Sequence, residues 1–125
     1  MINQSKAFSS FSVLDLEETQ KFYSEYLGIK TTIDEMNILE INVNDGFRVI
    51  AYPKSNHKPA EFTVLNFLVS DIDQTVKELT TKGIVFEQYD EPIKTDETGV
   101  ARNEFGPPIA WFKDPSGNIL SLIEE

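Results

Sequence analysis

The chain states one pattern twice. Val13-Leu14-Asp15-Leu16-Glu17-Glu18-Thr19-Gln20-Lys21 returns 56 residues later as Val69-Ser70-Asp71-Ile72-Asp73-Gln74-Thr75-Val76-Lys77. Phe11 returns as Phe67, and Gly28-Ile29 returns one residue early as Gly83-Ile84. A repeat of this period within 125 residues implies two copies of one supersecondary unit, about 6–53 and 61–125, inside a single domain 1–125.

Both copies carry the same local signals. In the first, alternation through Phe8-Ser9-Ser10-Phe11-Ser12-Val13 predicts a strand with one apolar face. Asp15 predicts a helix N-cap, with Glu18 three residues on as its partner. Leu16, Thr19, Phe22, Tyr23, Tyr26 and Leu27 form the helical stripe, and Gly28 ends it, because glycine tolerates the left-handed backbone beyond a helix. Strands follow over 30–33, 38–43 and 47–52, with Asn44-Asp45-Gly46 as a hairpin turn and 53–59 as a linker. In the second copy a strand over 62–69 precedes Asp71 and Gln74 as cap and partner. Ile72, Val76 and Leu79 form the stripe, and Gly83 closes it. Strands are predicted over 84–89, 109–113 and 118–123, the last two joined by the turn Asp114-Pro115-Ser116-Gly117. The polar stretch 90–108 exceeds a routine connection and reads as a lid, a binding loop or a mobile segment. Each copy is thus βαβββ. The fold class is α+β, two such modules forming a curved mixed sheet with the helices outside.

The net charge is -10, from 21 acidic and 11 basic residues. Nucleic acid and anionic membrane demand a basic footprint, so neither is an expected partner. There is no cysteine, which excludes disulfides, thiolate nucleophiles and zinc–thiolate sites. Met1-Ile2-Asn3-Gln4-Ser5-Lys6 has no secretory character, and no apolar run is long enough to span a bilayer, so a cytoplasmic location is expected. No nucleophile–base arrangement, nucleophile elbow or glycine-rich phosphate loop is evident.

The Val-Leu-Asp-Leu-Glu string with Phe22-Tyr23 and Leu27-Gly28, its second copy from Val69 to Gly83, and the closing Phe112-Lys113-Asp114-Pro115-Ser116-Gly117-Asn118 resemble the glyoxalase/bleomycin resistance/dioxygenase (vicinal oxygen chelate) superfamily over nearly the whole chain. The resemblance implies paired βαβββ modules forming a cup, often in a homodimer. It also implies, for metal-using members, His or Gln, Glu, His and Glu ligands on the first and fourth strands of each module. Carried over, those positions fall at Phe8, Val64 and Ser121, with the fourth at Ile50 or Ala51. Phenyl, isopropyl and methyl groups hold no divalent ion, and a lone serine hydroxyl is a poor donor. No metal and no cofactor are therefore expected. His57, the only histidine, reads as an exposed loop residue, with a functional role as the competing reading.

Strand parity points Phe8, Ser10 and Ser12 into the cup, together with Val64, Asn66, Leu68 and Ser121, while Phe11, Val13, Phe67 and Val69 pack under the helices. Asn66 is either a ligand contact or a tie between strands, since an unpaired buried amide is costly. Trp111 is a stacking wall, core or dimer interface. Tyr52 is a hydroxyl donor near the mouth. Arg102 is a surface ion-pair partner or an anion-gripping lid residue. The expected ligand-binding set is Phe8, Ser10, Tyr52, Val64, Asn66, Trp111 and Ser121. The expected function is metal-independent binding of a small organic molecule, sequestering an antibiotic or metabolite. A metal-dependent lyase, isomerase or dioxygenase with displaced ligands is the alternative. The repeat is equally compatible with a cup within one chain and a cup completed across a dimer.

Overall fold

The computed structural model describes residues 1–44 and 46–125. Asp45, the middle of the expected hairpin turn, lies outside the described residues. The chain divides into two compact units, Met1–Lys58 and Pro59–Glu125.

The first unit contains β1 (Ser9–Val13), α1 (Leu16–Lys21), a π-helical turn (Phe22–Tyr26), β2 (Lys30–Ile33), β3 (Leu39–Val43) and β4 (Phe47–Pro53). Its sheet runs β1-β4-β3-β2, with β1 parallel to β4 and the other pairs antiparallel. The second unit contains β5 (Thr63–Val69), α2 (Ile72–Thr81), β6 (Val100–Asn103), β7 (Gly106–Lys113) and β8 (Ile119–Glu124). Its sheet runs β5-β8-β7-β6, again with its outer first strand parallel to its last. The fold is α+β, with two four-stranded mixed sheets and one main helix in each unit.

The repeated sequence makes the same helix start twice. Asp15 Oδ1 accepts from the Glu18 N–H at 2.9 Å, and Asp71 Oδ1 accepts from the Gln74 N–H at 3.0 Å. One residue further, Thr19 Oγ1 donates to the Asp15 carbonyl at 2.6 Å and Thr75 Oγ1 to the Asp71 carbonyl at 2.8 Å. Each carboxylate thus satisfies an amide that the first turn would otherwise leave without an acceptor.

The core lies on one face of each sheet. Phe11, Val13, Leu39, Ile41, Val49 and Ala51 are buried with Leu16, Phe22 and Tyr23. In the second unit Leu65, Ala110, Phe112, Leu120 and Leu122 are buried with Ile72, Val76 and Leu79. Each large side chain fully buried in this way contributes roughly 1.5–3 kcal/mol. Phe67 and Val69, expected to pack like Phe11 and Val13, are only half-buried. In this unit α2 packs mainly on β7 and β8.

Three departures matter. The first helix widens after Lys21, with the Leu27 N–H bonding back to the Phe22 carbonyl at 3.2 Å, and Tyr26 leaves the buried stripe. Residues 84–89 form no strand. Ile84 and Phe86 are buried and Val85 is 79% exposed, so the side chains alternate as expected, but one backbone bond, Glu87 N–H to the Trp111 carbonyl at 2.8 Å, joins the segment to β7. The fourth strand is instead β6, inside the stretch expected to be loop. A turn at Asp96–Gly99 makes β6 possible: the Gly99 N–H bonds the Asp96 carbonyl at 3.0 Å, and the Asp96 N–H bonds the Val100 carbonyl at 2.8 Å. Gly99 has φ +97°, and a Cβ there would stand 2.6 Å from Phe86 Cβ. Only glycine fits both demands. The Asp114–Gly117 turn forms as expected, its buried carboxylate accepting from the Ser116 and Asn118 N–H groups, each at 2.9 Å, and from Asn118 Nδ2 at 3.0 Å.

Candidate functional site

Because side chains alternate across a strand, burying one face of each sheet under a helix leaves the other face helix-free. The two units furnish that face differently.

In the first unit, Ser10 stands opposite Ile50, and Ile50 opposite Glu40; Ser12 stands opposite Tyr52. Ser10 is exposed and Tyr52 half-buried. Phe8 precedes β1 by one residue and is exposed, with the Arg48 guanidinium 4.4 Å from its ring centroid. This cation–π contact fixes a cation at the end of the row. His57 is not an exposed loop residue. It is half-buried, and its Nδ1 is hydrogen-bonded to Ser12 Oγ at 2.6 Å. The linker carrying it is fastened to β1 by the Lys54 N–H bonding the Val13 carbonyl at 2.9 Å. A serine–histidine pair is therefore present where none was expected; the separation of 45 positions along the chain hid it.

In the second unit, Asn66, Ser121 and Trp111 form one row across β5, β8 and β7. Ser121 is fully buried, and its hydroxyl donates to the Asn66 amide oxygen at 2.5 Å. The Asn66 side chain thereby ties β5 to β8. Val64 is half-buried at a register shift, where β5 carries one extra residue between Thr63 and Leu65. Trp111 is half-buried, and its ring meets that of Tyr89 at 5.5 Å and 78°.

Beside this pair lies a cavity of about 240 Å³, lined by Glu61, Phe62, Thr63, Tyr89, Glu91, Pro92, Ile93, Trp111 and Ile119. Thr63 and Ile119 are register partners, so the cavity opens on the same face as Trp111 and Ser121. A larger depression of about 680 Å³ lies between α2 and residues 83–88 and 97–98. Its walls include the core residues Val76, Ile84 and Phe86, which makes it a groove between α2 and the segment that follows it. The smaller cavity has the aromatic and aliphatic lining with a few polar groups that small-molecule sites share.

Arg102 takes the ion-pair role. Its guanidinium is paired with Asp73, and its Nε lies 3.7 Å from Asp96. Burial pushes the Asp96 carboxyl up. Hydrogen bonds from the Thr98 hydroxyl and the Val100 and Thr98 N–H groups, together with the Arg102 charge, outweigh that and hold it below the usual carboxylate range.

The metal positions of the resembled family do not fit an ion. Phe8 lies against Arg48, Val64 sits at the register shift, and the Ser121 hydroxyl is committed to Asn66. Ile50 and Ala51 offer no donor atom. Among the described residues, no three His, Asp or Glu side chains gather to hold a metal. Among them too, no helix is long and apolar enough to cross a membrane.

Of the expected site residues, Asn66, Ser121 and Trp111 stand together; Ser10 and Tyr52 share a face of the first sheet with Phe8 at its end. The residues missed are Phe62, Tyr89, Ile93 and the glutamates of the cavity.

No curated protein matches the sequence significantly. Solved structures do match in fold. TnmS3, an antibiotic binding protein from Streptomyces sp. CB03234, shares 21% identity with a TM-score of 0.70, covering 97% of each chain. A glyoxalase/bleomycin resistance protein/dioxygenase superfamily member from Sphaerobacter thermophilus DSM 20745 shares 24% identity with a TM-score of 0.67, covering 97% of this chain and 98% of that one. The fosfomycin resistance protein FosX from Listeria monocytogenes, solved with Mn(II) and sulfate, shares 12% identity with a TM-score of 0.71, covering 97% of this chain and 90% of that one. The sequence model of one family matches residues 9–122, spanning both copies of the repeat, and the chain belongs to that family, the glyoxalase/bleomycin resistance protein/dioxygenase superfamily.

Proposed function

We propose that this protein binds a small organic molecule on the helix-free face of its second sheet, that it does so without a metal, and that sequestration of an antibiotic or metabolite is its function. The cavity beside Trp111 carries this reading. Asn66 continues the same row and supplies a neutral polar group, held in place by the Ser121 hydroxyl, and Val64 borders it from β5. Phe8, Ser10 and Tyr52 are proposed, separately, as contact residues on the helix-free face of the first sheet. The side chains at the metal positions support metal independence. The antibiotic-binding protein among the fold neighbours supports sequestration as the mode of action. A homodimer in the cytoplasm completes the reading, and native mass spectrometry measures the dimer.

A thermal-shift screen of a small-molecule library that includes bleomycin-type compounds tests it. A true ligand at a hundredfold its Kd raises stability by about 2.7 kcal/mol, and the shift saturates. The expected result is at least one saturable binder whose effect is lost in Trp111→Ala. A screen with none sinks the proposal. Elemental analysis of protein purified without chelator is expected to give no stoichiometric Mn, Fe, Ni or Zn. Stoichiometric metal would favour a lyase, isomerase or dioxygenase with displaced ligands.

A further inference from the structure

The chemistry of the cavity walls goes beyond small-molecule binding and selects a class of ligand. We infer that the cavity beside Trp111 takes an organic cation, a quaternary or protonated amine carrying an apolar body. This rests on the reading of that cavity as the binding site. Three aromatic side chains line it: Trp111, Tyr89 and Phe62. Trp111 and Tyr89 stand nearly perpendicular, so two aromatic walls meet at a corner. Ring faces carry negative potential and attract a cation held within about 6 Å of the centroid, tryptophan most strongly. The two charged side chains in the lining are both carboxylates, Glu61 and Glu91, and both are exposed. The nearby base Lys113, cross-strand from Ile119, is occupied by Glu87 at 3.3 Å and does not offset them. Aromatic walls alone would accept any flat apolar molecule. Adding two carboxylates and no free base raises the cost of a carboxylate or phosphate ligand and lowers that of an ammonium. Ile93, Ile119 and Pro92 supply the apolar floor for the rest of the ligand. The charge of -10 over the whole chain acts in the same direction at longer range.

Trp111 is the only tryptophan, so its emission reports on this cavity directly. The test titrates the full chain with three probes of one shape class: benzyltrimethylammonium, benzyl alcohol and benzoate. The cation is expected to saturate the Trp111 signal at a concentration at least tenfold below the alcohol, with benzoate weakest. Added salt should weaken the cation alone. The double variant Glu61→Gln/Glu91→Gln should lose about tenfold in affinity for the cation and keep its affinity for the alcohol. Both positions are exposed, so an unchanged melting temperature confirms the variant is folded. Alcohol or benzoate binding as tightly as the cation overturns the cation assignment and leaves the small-molecule reading standing, as does a double variant with unchanged cation affinity. Silence to all three probes overturns both.

Discussion

The two units share a topology and diverge in what they place on it. Both begin with an edge strand, cap a helix with aspartate, and return a last strand parallel to the first. The first unit connects β2, β3 and β4 directly and presents Ser10, Ser12, Tyr52, Glu40 and an Arg48–Phe8 pair. The second inserts residues 84–98 ahead of β6, and this detour brings Tyr89, Glu91, Pro92 and Ile93 around Trp111 to enclose a cavity. The scaffold is repeated, while the walls around Trp111 are not. The caps and core positions repeat; four of the nine side chains around the cavity, Tyr89, Glu91, Pro92 and Ile93, come from the part without a counterpart.

The sharpest way to break this comparison is at glycine. Gly99→Ala places a Cβ 2.6 Å from Phe86 Cβ at positive φ, whereas Gly28→Ala meets nothing within 4 Å. Denaturant melts should show a loss of about 3 kcal/mol or more for Gly99→Ala and only about 1 kcal/mol for Gly28→Ala. Equal losses would mean that the detour is no more constrained than an open helix end. Next in size is binding. Trp111→Ala should weaken any ligand found by screening by about 2 kcal/mol, roughly thirtyfold, while Tyr52→Phe on the first sheet should change it less than threefold. Isothermal titration of both variants decides it. A smaller effect probes what the units share. Asp15→Ala and Asp71→Ala should each cost about 1 kcal/mol, and a difference beyond about 0.5 kcal/mol would show that the repeated caps are not equivalent.

The smallest effect concerns pH. Asp96 is held below the usual carboxylate range, so its contribution is present above that range. It is lost as pH falls through the lowered native value. Protection factors of the amides at residues 95–101, taken relative to intrinsic exchange rates, should fall on acidification, and Asp96→Asn should remove that fall. Arg102→Ala, a surface pair, should cost no more than about 0.5 kcal/mol.

Much of the scaffold was legible because it is local. A cap needs an aspartate and an amide three residues away, and both lie within the nine-residue string that repeats. The strand at 84–89 misled for a physical reason. Alternating burial of Ile84, Val85 and Phe86 records which face each side chain takes, but a strand also requires a hydrogen-bonding partner along its length, and this segment has a single bond to β7. β6 escaped notice because its turn depends on Asp96 and Gly99, residues that also suit ordinary loops. Parity placed Asn66 and Ser121 on one face, yet their contact depends on the register between β5 and β8, which shifts at Val64. The Ser12–His57 bond depends on a linker folding back on β1. Cross-strand register and linker path are long-range properties, and a single sequence encodes them only through the finished packing.

The parallel pairing of first and last strands also orders events in time. β1 can pair only when β4 has arrived, and β5 only when β8 has. During synthesis the first sheet can close once Pro53 has emerged, while the second waits for Ile119–Glu124. β8 lies between β5 and β7, so chain termination before Ile119 removes the middle of a sheet, not its fringe. A ribosome that stalls before Ile119 has emerged would leave β5 without its partner and Trp111 without the strand beside it. The cavity is thus a late feature of the second unit, and its presence certifies that translation ran through β8.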